Sequence, residues 1–246
     1  MIRRYGPSLF MILLLCLSWE TAVRTLDVPW YILPPPSQAL RTAILRSPLL
    51  LSHSFVTGGE ILLGIALALA LAVPLAVAMF FSPVLNRAFA PFLVASQAIP
   101  VFALAPLLIV WFGYGIGSKV VMAAIVIFFP ITVNLLQGFR SCPQELRTLF
   151  RLMGASPWTT LRRLYWPFAL PFFFSGLRVG VSVATIGAVI GEWVGSQKGL
   201  GYLMIQANAR MSVDLVFAAI LWLSVMGLAL WTLVGRIEKR IVRWKN

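Results

Sequence analysis

Long apolar stretches recur along the chain, and they constrain its fold more than any other feature. Residues 55–81, 91–112, 120–136, 172–190 and 215–234 are each close to or above the roughly 20 residues that a helix needs to cross a bilayer. Of all 246 residues, 60% are hydrophobic and only 11% are charged. A water-soluble domain of this size does not need so much apolar surface. The chain is therefore predicted to be an all-α polytopic membrane protein.

A sixth apolar stretch, residues 7–23, follows a basic start and leaves two readings open. It has the layout of a cleaved signal peptide, but no small-x-small cleavage site follows it, which favours a retained first span. Six spans with a cytoplasmic N-terminus place the C-terminus in the cytoplasm too. Thirteen Lys and Arg then lie inside and six outside, as the positive-inside rule requires. We expect one transmembrane domain, residues 1–246, and attribute the net charge of +13 to topology rather than to nucleic-acid binding.

The features that an enzyme or a metal protein needs are missing from the sequence. No phosphate-binding glycine loop ending in Lys-Ser or Lys-Thr is present, so the chain itself is not expected to hydrolyse ATP by that route. Cys16 and Cys142 fall in a predicted span and a predicted loop, which disfavours a disulfide, and they lack metal-ligand spacing. His53 has no acid nearby in sequence, so a capping or solvated role is expected. We predict no catalytic residue, no metal and no cofactor.

The longest polar interruption in the second half of the chain is the loop of residues 137–171, which carries five arginines. Apolar residues in it recur at the i, i+3, i+4, i+7 spacing of one helical face: Leu146, Leu149, Phe150 and Met153. Arg147 and Arg151 lie on another face. Gly154 predicts a helix stop, and Ser156-Pro157 predicts the start of a second short helix. Such an amphipathic hairpin has three readings: it lies on the lipid surface, packs under its own bundle, or docks into a groove of a cytosolic partner.

A resemblance favours the third reading. Gly154-Ala155, followed after nine residues by Leu164-Tyr165-Trp166-Pro167, resembles the cytoplasmic loop signature of ABC importer permeases; the Glu-Ala-Ala positions of that signature are here Thr148, Leu149 and Phe150. Further segments resemble the permease branch that serves nitrate, sulfonate, taurine and thiamine-precursor importers: residues 33–37, Gly176-Leu177-Arg178, Gly191-Glu192-Trp193 and Gly199-Leu200-Gly201-Tyr202.

The resemblance implies a type I ABC importer permease fold with six transmembrane helices in the bacterial plasma (inner) membrane. It also implies three kinds of partner besides the lipid bilayer: two cytosolic ATPase subunits, a second permease copy and an extracytoplasmic binding protein. The loop would supply the helix that couples the permease to the ATPase. The implied coupling residues are Leu146, Arg147, Leu149, Phe150, Arg151, Met153, Gly154, Ala155 and Pro167.

Polar side chains within the spans are candidates for lining the solute pathway. The set comprises Ser96, Gln97, Thr132, Asn134, Ser182, Thr185 and Glu192. Each of them also has a simpler explanation as a hydrogen-bonding residue between helices. The ionisable side chains expected within the spans are Arg178, which can snorkel to the surface or bind solute, and Glu192, which can face an access cavity or pair with Lys198.

The solute itself stays open at this stage. The motif around residues 199–210 most resembles permeases for thiamine-precursor pyrimidines, with sulfonate, taurine and nitrate permeases close behind. The alternative function is a stand-alone secondary transporter, and the apparent scarcity of acids in the spans argues against it. A membrane-embedded structural protein would explain the spans but not the loop signature.

Overall fold

The fold is described from a computed structural model that covers the backbone of residues 2–245. The side chains of residues 1–5, 8, 9, 245 and 246 lie outside the described part, and they include Arg3, Arg4 and Lys245, which the predicted topology counts as cytoplasmic. The described residues form α-helices, one π-helical turn, one 3₁₀ turn and no strand. The α-helices are α1 (Ile2–Thr25), α2 (Pro36–Leu45), α3 (Ser47–Phe81), α4 (Pro83–Ala98), α5 (Val101–Phe112), α6 (Ile116–Arg140), α7 (Gln144–Leu152), α8 (Pro157–Thr160), α9 (Trp166–Gly195), α10 (Leu200–Ala209) and α11 (Val213–Ile241).

Four segments within residues 2–245 are long and apolar enough to cross a membrane. They are α3, α6, the run from α8 through the π-helical turn into α9, and α11. The helices α4 and α5 pass the same test together but are bent by 105° at their junction. The chain is therefore a multi-pass membrane protein. Helix α1 contains the predicted first span, residues 7–23, whose crossing of the membrane stays a prediction.

The third predicted span, residues 91–112, is the one that differs most from expectation. The apolar stretch predicts one span there; instead α4 ends at Ala98, Ile99 is extended, and Pro100 precedes the start of α5. Proline lacks the N–H that would continue the helix and pushes the preceding residue towards extended backbone, which explains the break at Ile99. Pro106 lies inside α5.

The other helices run past the apolar stretches that predicted them. Helix α3 begins at Ser47 instead of residue 55, and α11 continues to Ile241 instead of 234. Hydropathy marks only the part of a helix that suits lipid, whereas the backbone hydrogen bonds continue into more polar sequence.

The described residues separate into two compact units, residues 1–56 with 197–225, and residues 57–196 with 226–246. In the first unit, Glu20 of α1 accepts hydrogen bonds from Arg24 and from both the backbone N–H and the hydroxyl of Ser37. The hydroxyl of Thr42 on α2 donates to Asp214 at 2.8 Å. These polar contacts join α1, α2 and the start of α11.

The second unit is built on the close packing of α6 against α9. Glycines and alanines recur along the contact on both helices, which lets the two helices approach closely. The core there contains Ala123, Ala124, Ile127, Ile131, Val181, Ala184 and Ala188, all buried. Gly176 sits at the tightest point, where an added Cβ would lie 2.5 Å from the carbonyl oxygen of Pro130.

We expect Gly176→Ala to destabilise the protein by roughly 2 kcal/mol, because overpacking against a backbone carbonyl cannot be relieved by rotating a side chain. Gly227→Ala is the matched control: its Cβ would meet Thr185 Cγ2 at an ordinary 3.7 Å. Unfolding by SDS titration in mixed micelles measures both. Equal unfolding midpoints for the two variants would contradict the described α6–α9 packing.

Candidate functional site

The arginine-rich loop folds into the predicted helical hairpin of α7 and α8. Gly154 has φ +68° and follows the last turn of α7, where its N–H donates to the carbonyl of Arg151 and the N–H of Ala155 donates to that of Phe150. This pair of bonds is a Schellman motif, which ends a helix with a left-handed glycine. Ser156 caps α8 by accepting from the N–H of Thr159 at 3.2 Å. The stop at Gly154 and the start at Ser156-Pro157 are thus confirmed.

The hairpin presents an apolar surface to its surroundings, and we call this surface the loop patch. It consists of Leu149, Leu152, Met153 and Trp158, which are 49%, 81%, 73% and 70% exposed. Leu152 and Trp158 were not among the predicted coupling residues. The spacing of three from Leu149 already signals that Leu152 shares its face. Leu146 and Phe150, which were predicted there, are half-buried.

The predicted coupling arginines differ in their surroundings. Arg151 is exposed, whereas Arg147 is half-buried and donates from Nη2 to the carbonyl of Arg140 at 2.8 Å, near the end of α6. Its guanidinium also lies 5.6 Å from the ring centroid of Tyr165. A cation at a helix C-terminus satisfies open carbonyls and complements the helix dipole. Arg147 therefore holds the hairpin to α6.

Two further predicted coupling residues, Ala155 and Pro167, lie beside helix termini. Ala155 is half-buried, and its N–H completes the turn after α7. Pro167 is half-buried and is the second residue of α9, just after the π-helical turn that leads into that helix.

A second candidate site is a group of buried polar side chains from three helices of the second unit. Thr57 and Glu60 lie on α3, Lys119 on α6 and Glu192 on α9, and each is at most 4% exposed. The hydroxyl of Thr57 donates to Glu192 Oε1 at 2.6 Å. The carboxyls of Glu60 and Glu192 lie next to each other in this group.

Lys119 closes this group from the α6 side. Its Nζ donates to the carbonyls of Tyr114, Gly115 and Gly195 at 2.8, 3.0 and 2.9 Å. Gly195 is the last residue of α9, so the ammonium joins the start of α6 to the end of α9.

The expectation that the spans hold only Arg178 and Glu192 as ionisable groups is therefore wrong. Glu60 lies within the stretch that predicted the second span, and Lys119 lies in α6 one residue before the predicted span of residues 120–136. A hydropathy average hides one carboxyl among many apolar residues. Buried ionisable groups in a membrane helix are costly, and they commonly mark functional positions.

The predicted pathway residues are not gathered into one lining. Ser96, Thr132, Asn134 and Ser182 each donate to a carbonyl of their own helix, which is the simpler use of such side chains. Ser96 also lines an apolar cavity of about 370 Å³ among α3, α4 and α6. Thr132 is fully buried, while Thr185 is half-buried and Gln97 is exposed. Of the predicted set, only Glu192 belongs to the buried polar group.

Arg178 does not extend freely towards a membrane surface. Its Nη2 lies 3.0 Å from Glu238 Oε2 of α11, and its guanidinium lies 5.0 Å from the ring centroid of Trp231. His53 Nδ1 lies 3.0 Å from the backbone nitrogen of Gly199, the residue before α10, and 2.9 Å from the carbonyl oxygen of the same residue. Among the described side chains, no three of His, Cys, Asp or Glu are grouped as metal ligands, and Cys16 and Cys142 are unpaired thiols.

Comparisons with known proteins identify the family to which the chain belongs. A model of the family "Binding-protein-dependent transport system inner membrane component" matches residues 61–243. A probable ABC transporter permease protein of Haemophilus influenzae is 44% identical over 98% of both chains. The formylaminopyrimidine transport permease protein ThiX of Halalkalibacterium halodurans is 40% identical over 98% of this chain and 96% of its own.

A solved structure shows the same fold at greater distance. One chain from inward-facing conformations of the MetNI methionine ABC transporter superposes with a TM-score of 0.67 at 20% sequence identity, covering 80% of this chain and 96% of its own. The fold is thus that of a type I importer permease. The chain belongs to the family of binding-protein-dependent transport system inner membrane components and is a permease subunit of an ABC importer.

Proposed function

We propose that this permease works with two cytosolic ATPase subunits, a second copy of itself and an extracytoplasmic binding protein to import a small solute across the bacterial inner membrane. Both termini and the hairpin of α7 and α8 lie in the cytoplasm. ATP hydrolysis belongs to the partner subunits. The solute is a thiamine-precursor pyrimidine or a sulfonate, taurine or nitrate-type molecule.

The loop patch is the observation that carries this proposal. Leu152 is 81% exposed on a short helix within a polar, arginine-rich loop, where apolar exposure is unfavourable unless another surface covers it. An apolar helix face flanked by charges suits the groove of a protein partner. Arg151, Arg162 and Arg163 are exposed in the same loop, and their positive charges favour an acidic rim on that partner.

The proposed mechanism depends on the rigid attachment of the α7–α8 hairpin to α6. ATP binding closes the ATPase dimer and moves the docked α7, and the Schellman turn with Arg147 transmits this movement to α6 and α9. A packed helix pair responds to such a push by shifting as a unit. The spans then switch between inward and outward opening, driven by the different contacts made in the two states.

The stand-alone secondary transporter remains the alternative. The apparent scarcity of acids in the spans counts less against it, because two buried glutamates lie there. Glu60 and Glu192 give the spans a buried carboxyl pair of the kind that proton-coupled carriers use. Membership of the family supports the importer instead, because the family consists of inner membrane components of binding-protein-dependent transport systems.

Co-purification separates the two functions. The tagged permease is solubilised in mild detergent together with its cognate ABC ATPase subunit, and the complex is assayed for ATP hydrolysis. We expect a complex with equal amounts of the two chains and ATPase activity that the permease alone lacks. A permease that retains no ATPase yet transports solute down a proton gradient would establish the secondary carrier.

A further inference from the structure

A polar cavity of about 360 Å³ lies between α9 and the last third of α11. Its lining combines two hydroxyls, one ion pair and an indole, contributed by Ser175, Arg178, Ser182, Trp231 and Glu238. The volume falls within the range of small-molecule sites, roughly 300 to 1,000 Å³. Such a lining is unusual on helices that otherwise present apolar side chains to their surroundings.

Three residues of α11 hold the guanidinium of Arg178 in place. Trp231, Gly235 and Glu238 follow each other at spacings of four and three, so they share one face of the helix. Glu238 Oε2 lies 3.0 Å from Nη2 of Arg178, and the guanidinium carbon lies 5.0 Å from the ring centroid of Trp231. A Cβ atom on Gly235 would collide with the guanidinium. This face of α11 therefore accommodates the guanidinium of Arg178 through an ion pair, a ring contact and the space left by a glycine.

The charge of the cavity is balanced. Arg178 and Glu238 are the only ionisable side chains in its described lining, and they neutralise each other. A permanently anionic solute would gain little net attraction here and would compete with Glu238 for the guanidinium. Breaking a partly buried ion pair by removing one partner is strongly unfavourable. The balance therefore disfavours sulfonates and nitrate.

The same lining suits a flat and uncharged ring. Trp231 is 42% exposed, and an indole stacks well on other aromatic rings. Arg178 retains donor capacity beyond its ion pair, since that pair involves Nη2 and the side chain is still 27% exposed. Glu238 and the two serine hydroxyls offer acceptors. A heteroaromatic ring with an amino group and ring nitrogens matches these donors and acceptors.

We propose that this cavity binds the transported solute and that the solute is an uncharged heteroaromatic molecule of the aminopyrimidine type. The proposal rests on the importer function and selects one of its candidate solute classes. Trp231 supplies the stacking surface, and the Arg178–Glu238 pair supplies one donor edge and one acceptor edge. The external binding protein selects the solute first, and the cavity accepts it afterwards.

Equilibrium dialysis tests the cavity without the binding protein. The full-length permease in lipid nanodiscs is dialysed against radiolabelled formylaminopyrimidine, with unlabelled taurine and ethanesulfonate as competitors. We expect saturable binding that neither competitor displaces. Trp231→Ala is expected to weaken binding roughly tenfold, and Trp231→Phe to restore most of it, because the ring is what matters. Leu233→Ala, on the same helix but outside the cavity, is expected to bind normally.

A second variant tests whether the balanced charge of the cavity disfavours anionic solutes. Glu238→Gln leaves the guanidinium unpaired, so ethanesulfonate is expected to become a competitor in that variant alone. Absence of saturable pyrimidine binding, or displacement of the pyrimidine by sulfonate from the unaltered permease, would overturn the proposal. Co-purification with the ATPase, measured on the same preparations, reports separately on the importer function, so either proposal can fail without the other.

Discussion

We expect the Leu152→Asp permease to insert into the membrane normally and to lose roughly 30-fold in affinity for its ATPase subunit, with a matching loss of transport. Leu152 is 81% exposed, so its replacement removes little packing within the chain itself. A carboxylate on the loop patch would, however, be desolvated without a partner in an apolar groove. The prediction therefore isolates docking from folding.

The measurement is binding of the purified ATPase subunit to nanodisc-embedded permease, followed by solute-stimulated ATP hydrolysis. Gln144→Asp provides the matched control, because it adds the same carboxylate to α7 at an exposed position turned away from Leu149. An unaltered affinity in Leu152→Asp would mean that the loop patch faces lipid. Phe150 is a poorer probe, since it is half-buried and an aspartate there would also disturb packing.

The hairpin that carries Leu152 was predictable because its signals are local. Gly154 permits a left-handed turn, Ser156 offers a capping hydroxyl, and Pro157 fits a first helical turn. The apolar spacing also located one face of α7. It could not tell which of these residues the rest of the chain covers. Leu146 and Phe150 turn partly inward, and Arg147 turns to the end of α6, because these depend on contacts with residues distant in sequence.

The buried polar group was not predictable for the same reason. Glu60 looks like an isolated acid near the start of an apolar stretch, and Lys119 looks like a loop residue. Their burial follows from the approach of α3, α6 and α9, whose glycines and alanines let the helices come close. Gly191 shows this directly, since an added Cβ would lie 3.2 Å from Cα of Lys119. The family resemblance identified the fold, but only packing shows which ionisable groups meet.

Lys119→Met is expected to lower the free energy of unfolding by roughly 3 kcal/mol. The ammonium is 4% exposed and uses all three of its N–H donors on the carbonyls of Tyr114, Gly115 and Gly195. Methionine fills a similar volume but donates nothing, so three carbonyls near the ends of α6 and α9 lose their partner. Hydrogen bonds to a charged donor contribute about 1.5–3 kcal/mol each, and the loss is less than their sum because the freed carbonyls share the same relaxation.

SDS titration in mixed micelles measures this loss, with Lys239→Met as the control, because Lys239 is exposed in the last turn of α11. Lys119→Arg is expected to fall between the two, since a planar guanidinium spreads its donors and cannot direct three of them from one nitrogen. Loss of Lys119 also takes away the positive charge beside the Glu60 carboxyl. If Lys119→Met unfolds at the same SDS fraction as Lys239→Met, the ammonium does not hold α6 to α9, and the buried polar group would not stabilise this end of the helix pair.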